Sequence, residues 1–325
     1  MSMTTTVSPI ILTAADVARL SGRIAAMEVM REAFRSLGGG TAIQPPQTLT
    51  LLPRDAGDFI TYLGVLAETK VFGAKLSPYL SRPGGGLVTA WTVLMSMETG
   101  QPILLCDSKQ LTVERTAATT ALAVDLLAPQ SAARLSVIGA GPVAKAHIRH
   151  VRRLRQWQDI RIYSRRLAGS PQGGEVIASL DERIQLETNL HQAIDDADVV
   201  LLCTSSATAI IDPVNLRKPA LITSISTNAP KAHEVPPESL GTMDVYCDYR
   251  ATTPSSAGEM QLAAAEHGWS ATSVVGDLPE LTTGSAALPS YGRHVFFRSI
   301  GLGLEDVAMA HAVQCLVQSD NESRT

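Results

Sequence analysis

Polar and apolar positions follow three different patterns along the chain. Ile24, Met27, Met30, Phe34 and Leu37 recur at spacings of three and four, which places them on one helix face, and Gly38, Gly39 and Gly40 end the run. Ahead of it, Thr13 with Asp16 three residues on reads as a helix N-cap with an acidic first turn. From Pro45 to about Leu105 the pattern is that of strands. "TLTLLP" and "FITYLGVLA" flank "RDAGD", and "LVTAWTVLMSM" and "PILLCD" flank "ETGQ", two strand pairs each joined by a turn. "SRPGGG" between the pairs reads as a loop. An Ala-rich helix, "LTVERTAATTALAVDLLAP", then leads into the third pattern. "RLSVI", "DIRIYSRR", "ADVVLLCTSS" and "ALITSIST" are short apolar strands with helical segments between them, which implies a parallel sheet covered on both faces. The last helix, "GLEDVAMAHAVQCLVQS", is expected to pack back onto the first part of the chain, leaving a polar tail from Asp320 to Thr325.

Composition narrows the function classes. The 325 residues are 45% hydrophobic and 18% charged, ordinary for a globular chain of about two domains. The formal charge is −4 and no basic run exceeds "VRRLR" at Val151 to Arg155, so neither a nucleic acid nor an anionic membrane is expected as a partner. Cys106, Cys203, Cys247 and Cys315 show no CxxC spacing and read as reduced thiols of a cytoplasmic protein. The first residues show no signal-peptide pattern, and no apolar run approaches the length of a membrane helix.

The strongest chemical signal is Gly139-Ala-Gly141-Pro142-Val143-Ala144, a GxGxxA sequence that follows a strand and opens a helix. Gly139 permits a tight turn, Gly141 lets the backbone approach a pyrophosphate, and Ala144 allows close helix–strand packing. Pro142 and Val143 open that helix, whose N-terminus offers orphan N–H groups to phosphate, Val143's the first of them because proline has none. The fold class expected is therefore α/β, a Rossmann-type doubly wound parallel sheet joined to a mixed α+β domain. At the end of the next strand, where an NAD site usually has an acid, the chain reads Tyr163-Ser164-Arg165-Arg166. A hydroxyl and two guanidiniums suit a 2′-phosphate, so NADPH is expected in preference to NADH. Thr204 and Ser205 end a further strand and are expected to line the cofactor, as is Ser226.

Two cations stand out in the first part: Lys75, in the apolar strand "FGAKLSPYL", and Arg115, in the first turn of the Ala-rich helix. A cation facing a core needs a ligand or an ion pair. His147 and His150, three apart, could suggest a metal pair, but no third ligand is visible and no metal is expected. Glu305 and Asp306 open the last helix, where favourable charge at a helix N-terminus is reason enough for them.

The order GxK, "ETGQP", "RTAA", the glycine turn and "FRSIGLGLEDVAMA" resembles the ornithine cyclodeaminase/mu-crystallin family, from about Gln44 to Val313. The resemblance implies a substrate and dimerisation domain (1–118 with 296–325), an inserted Rossmann NAD(P)-binding domain (119–295), and a homodimer. It implies that Lys75 meets the substrate carboxylate and can donate a proton, and that Arg115 contacts both the carboxylate and the cofactor phosphate. It places Thr92 and Ser299 beside the cofactor. Two positions depart from the family pattern. Gln47 stands where an Arg is usual, replacing a charged bidentate group with a neutral amide. Asn228 stands where cyclodeaminases carry an Asp, and an amide cannot accept the proton that cyclisation must shed. The reading that follows is an NADPH-dependent reductase of cyclic imino acids, taking Δ1-pyrroline-2-carboxylate to L-proline, with the six-membered Δ1-piperideine-2-carboxylate as a further substrate. The alternatives are an amino-acid or opine-type dehydrogenase on an open-chain imine, which Gln47 favours, then ornithine cyclodeaminase, then a non-catalytic NADPH-dependent ligand-binding protein.

Overall fold

A computed structural model describes residues 8–226 and 231–323, and the chain divides into two compact units. One holds the residues up to Arg115 together with those from Leu302; the other is Thr116–Gly301. The sequence places the joins at 118/119 and 295/296, against 115/116 and 301/302 here. The second join moves because "VFFR", a four-residue apolar run with no alternation to mark it, is a strand inserted in the middle of the parallel sheet.

The first unit is built on a sheet of eight strands: β1 (Ile10–Leu12), β2 (Ala42–Ile43), β3 (Thr48–Leu51), β4 (Gly57–Leu66), β5 (Val71–Leu80), β6 (Leu87–Val88), β7 (Trp91–Ser96) and β8 (Pro102–Asp107). Their order is β1-β8-β7-β5-β4-β2, with β3 on β4 and β6 on β5, and every pairing but β1 with β8 is antiparallel. The long pair β4–β5 runs in register from Gly57↔Leu80 to Leu66↔Val71. Strand alternation sorts the two faces. Tyr62, Leu66, Val71, Lys75, Thr92, Leu94, Leu104, Cys106 and Leu12 are buried on one face. Against it lie the helix Gly303–Glu322 and, packed on that, the helix Ala26–Gly38, whose Met30 and Phe34 are fully buried as their spacing requires. The other face leaves Leu63, Phe72, Leu76, Trp91, Leu105 and Ile11 exposed, from 37% for Phe72 to 64% for Ile11.

Two glycines let the last helix approach the sheet. A Cβ on Gly64 of β4 would lie 2.7 Å from Leu304 Cα, and one on Gly303 would lie 2.3 Å from the Leu63 carbonyl oxygen. The helix N-terminus is held from far along the chain, where the Leu304 N–H donates to Gln44 Oε1 at 2.8 Å. The polar tail expected from Asp320 is still helical to Glu322, and Asp320 pairs with Arg23 at 2.6 Å.

The second unit is a parallel sheet of eight strands: β9 (Arg134–Ile138), β10 (Asp159–Tyr163), β11 (Ile184–Glu187), β12 (Val199–Leu202), β13 (Leu221–Ser224), β14 (Asp244–Cys247), β15 (Val274–Asp277) and β16 (Val295–Arg298). The order is β11-β10-β9-β12-β13-β16-β14-β15, all parallel. β9 and β12 are neighbours although two strands separate them in sequence. The strand order therefore reverses between them, and in doubly wound sheets ligands bind at the carboxyl ends of the strands at such a switch point. Ile138, Val200, Leu202, Ile222, Val245 and Phe296 anchor a core in which each is at most 2% exposed.

Candidate active site

In the first unit the two cations singled out from sequence come together with the two acids set aside as helix-terminal charges. Lys75 points from the buried face of β5, and Arg115 projects from the Lys109–Leu127 helix. That helix begins at Lys109, so Arg115 sits in its second turn, not its first. Lys75 Nζ lies 2.8 Å from Asp306 Oδ2, and Arg115 Nε donates to Asp306 Oδ1 at 3.1 Å. Arg115 Nη1 donates to Glu305 Oε2 at 3.2 Å, and the Leu302 N–H donates to the other oxygen of Glu305 at 3.2 Å. Lys75 Nζ also stands 4.1 Å above the Tyr62 ring and 3.5 Å from Thr112 Oγ1. All four charged side chains are at least 94% removed from water. The helix-terminal reading of Glu305 and Asp306 is therefore incomplete: they are also the counter-ions of two buried cations, without which those charges would not be tolerated. Burial pushes the Lys75 ammonium down from its ordinary value and Asp306 partly restores it. Arg115 lowers it further, to about 8. A lysine in that range can exchange a proton near neutral pH.

Thr92 lies directly across from Lys75 on β7, fully buried, its hydroxyl donating to Ser108 Oγ at 2.8 Å. Cys106, in register with Thr92, is an inert thiol whose pKa burial raises to about 12. Gln47 is partly buried, and its Oε1 has no hydrogen-bond partner.

In the second unit the glycine turn occupies the end of β9. Gly139 has φ +132°, and a Cβ there would lie 2.4 Å from the Cys203 carbonyl oxygen at the end of β12, so two strand ends at the switch point close on each other only through glycine. Gly141 is the opposite case: no atom lies within 4 Å of where its Cβ would be, leaving open space in front of the helix Pro142–Val151. No side chain caps that helix, so its first N–H groups remain available. Ala144, fully buried, allows the helix to lie close on the sheet. Past β10, Ser164 is partly buried while Arg165 and Arg166 are exposed to solvent. An open glycine turn, uncapped amides and two free-standing guanidiniums fit a phosphorylated dinucleotide.

The other cofactor candidates are tied to carboxylates that sequence reading overlooked. Thr204 donates through both its N–H and its hydroxyl to Glu234 Oε1, while the hydroxyl of Ser224 and the N–H of Ser226 donate to Glu234 Oε2. Ser205 is exposed next to Thr204. Ser299 is buried, and its hydroxyl donates to Asp248 Oδ2 at 3.0 Å, an oxygen that also accepts the N–H groups of Ile300 and Gly301. Neither Glu234 nor Asp248 stands in a recognisable sequence motif. His147 is not free for a metal. Its Nδ1 lies 2.8 Å from the Val143 carbonyl and its Nε2 3.0 Å from Thr120 Oγ1, and burial lowers its pKa to about 4. Among the described residues no group of three potential ligands could hold a metal ion, and no helix is long and apolar enough to cross a membrane.

The model of the ornithine cyclodeaminase/mu-crystallin family matches residues 7–321. The chain belongs to that family. The NAD(P)H-dependent anabolic L-arginine dehydrogenase of Pseudomonas aeruginosa is 56% identical over 317 residues, 96% of this chain and 98% of its own length. Among solved structures, Δ1-pyrroline-2-carboxylate reductase of Thermococcus litoralis, in complex with NADH and L-proline, superposes with a TM-score of 0.87 at 20% identity, covering 96% of this chain and 98% of its own. An archaeal alanine dehydrogenase dimer with bound NAD superposes with a TM-score of 0.85 at 24% identity, covering 96% and 97%. Of the two departures from the family pattern, Gln47 is placed as above, and Asn228 lies outside the described residues.

Proposed function

We propose that the chain interconverts an open-chain L-amino acid and its 2-imino acid, with L-arginine as the substrate class, and that it uses NADPH in preference to NADH. The chemistry belongs to the NAD(P)H-dependent oxidoreductases acting on a C–N bond. The observation that carries the choice of substrate is the end-to-end likeness to an L-arginine dehydrogenase at 56% identity. Gln47 adds physical support. A cation there would repel a guanidinium, whereas the Gln47 amide is neutral and its Oε1 is an acceptor with no partner. The cyclic imino acid expected from sequence becomes the competitor.

The glycine turn, Ser164, Arg165 and Arg166 would hold the cofactor, which supplies or accepts a hydride at the substrate's C2. Arg115 and Lys75 bind the substrate carboxylate. Lys75 carries the proton: as ammonium it donates to the imine nitrogen during reduction, and as free amine it takes a proton from the substrate ammonium during oxidation. Asp306 and Glu305 hold the two cations in place and stabilise their charge in a dry site. The imine released by oxidation hydrolyses in water to a 2-oxo acid and ammonia.

The exposed apolar side chains on one face of the first sheet support a homodimer. Leu63, Phe72, Leu76, Trp91 and Leu105 form one continuous patch across four strands, and a second copy of the same face is a self-complementary cover for it.

The test is a substrate panel followed by nicotinamide absorbance and product identification. It comprises L-arginine, L-lysine and L-proline with NADP+ and NAD+, and pyrroline-2-carboxylate and 2-oxo acids plus ammonia with NADPH. A kcat/KM for L-arginine at least tenfold above that for L-proline is expected. A preference for pyrroline-2-carboxylate would restore the cyclic reading, and ammonia release from ornithine with proline as product would restore cyclodeaminase. Comparable kcat/KM with NADH and NADPH would remove the cofactor preference.

A further inference from the structure

We infer that Glu234 is a positioning residue for the cofactor site: one buried carboxylate fixes the spacing of two strand ends against which the dinucleotide lies. Glu234 is fully buried, and its carboxylate accepts four hydrogen bonds from three residues. Oε1 takes the Thr204 N–H at 3.1 Å and the Thr204 hydroxyl at 2.6 Å. Oε2 takes the Ser224 hydroxyl at 2.7 Å and the Ser226 N–H at 2.9 Å. Thr204 follows β12 and Ser224 ends β13, and these strands are parallel neighbours paired from Val199↔Leu221 to Leu202↔Ser224. The carboxylate therefore bridges the carboxyl ends of adjacent strands, one strand from the glycine turn on β9. It also receives the backbone of Ser226, held at φ +45°, a conformation that a serine adopts only when its surroundings impose it. Its own segment is fixed in turn, since the Ile210 N–H donates to the Glu234 carbonyl at 2.8 Å.

The chemistry requires a carboxylate. All four partners donate, two of them backbone N–H groups that cannot reverse, so the acceptor side must offer two oxygens. Glutamine would turn an NH2 toward one pair of donors and push that strand end away. Aspartate keeps the charge but falls one methylene short of spanning both ends. A group needed only for folding would lower stability when replaced and leave cofactor affinity alone. A group that sets the spacing of the strand ends changes affinity even in protein that stays folded.

The experiment uses the full chain. NADPH and NADH are titrated by their fluorescence into wild type, Glu234→Gln, Glu234→Asp and Val245→Ala, and the Tm of each cofactor-free protein is measured. Val245→Ala, a cavity in β14 away from the strand ends, matches a loss of stability without touching the site. The expected result is a Kd for NADPH raised about tenfold or more in Glu234→Gln, by less in Glu234→Asp, and unchanged in Val245→Ala at comparable Tm. A Kd within about twofold of wild type in folded Glu234→Gln overturns the inference. If Glu234→Gln does not fold, Glu234→Asp decides it by the same criterion. Failure of wild type to bind either dinucleotide would instead strike at the cofactor site itself.

Discussion

Lys75 and Asp306 form a buried ion pair through which the pH dependence of the proposed reaction can be tested. Lys75 is lowered to about 8 by burial, with Asp306 opposing and Arg115 adding to the shift. Tyr62, Thr112 and Glu305 are the other groups around it. In the proposed mechanism oxidation needs the free amine, so its rate should rise with pH through about 8 and then level; reduction needs the ammonium and should fall over the same range. Asp306 favours the charged lysine, so Asp306→Asn should move both limbs to lower pH. A pH profile of kcat/KM in each direction checks this, and unmoved limbs would show that Asp306 does not act on Lys75. Lys75→Met should lower kcat by about a hundredfold or more, the usual worth of a positioned proton donor, while NADPH binds within about twofold of wild type. After β10, replacing both Arg165 and Arg166 with Ala should weaken NADPH by about a hundredfold or more and leave NADH nearly unchanged, since charge-assisted hydrogen bonds are each worth about 1.5–3 kcal/mol. Equal losses for both dinucleotides would mean that neither arginine reads the 2′-phosphate.

The helix Gly303–Glu322 matters as an element because its first turn delivers both acids to the cations on β5 and on the helix that carries Arg115. Its placement rests on backbone contact, with Gly64 and Gly303 facing each other and Gly73 of β5 fitting beneath Val307. A methyl on Gly64 would lie within 2.7 Å of Leu304 Cα, so Gly64→Ala should cost about 1–3 kcal/mol by overpacking. Because the helix must lift, the Lys75 limb of the pH profile should shift as well. Thermal unfolding and the pH profile together test this. A lowered Tm with an unshifted limb would separate helix packing from lysine tuning. The strand and helix patterns themselves were legible, because alternation and 3.6-residue spacing are local properties. Short strands such as Asp244–Cys247, Val274–Asp277 and Val295–Arg298 were not, because four mostly buried residues carry no period to read.

For the whole molecule, the exposed face of the first sheet makes a prediction about assembly. Leu76→Asp and Trp91→Asp place charges in the middle of that patch, where the two residues are 47% and 38% exposed. From the proposed homodimer, the wild type should run as a dimer by light scattering and the double variant as a monomer, with each unit still folded. A dimer that survives would mean that the copies meet elsewhere.

By itself the sequence determined the α/β class and the glycine turn with its phosphate-suited arginines. Each of these is written in residues close together in the chain, where period, spacing and residue type carry the information. Only the tertiary structure decided which charges answer one another. Asp306 lies 231 positions from Lys75, and Glu234 joins strand ends 30 and 10 residues before it. A buried charge must find a partner, but the chain alone does not say which of 31 acids it is, because burial is a property of the packed molecule.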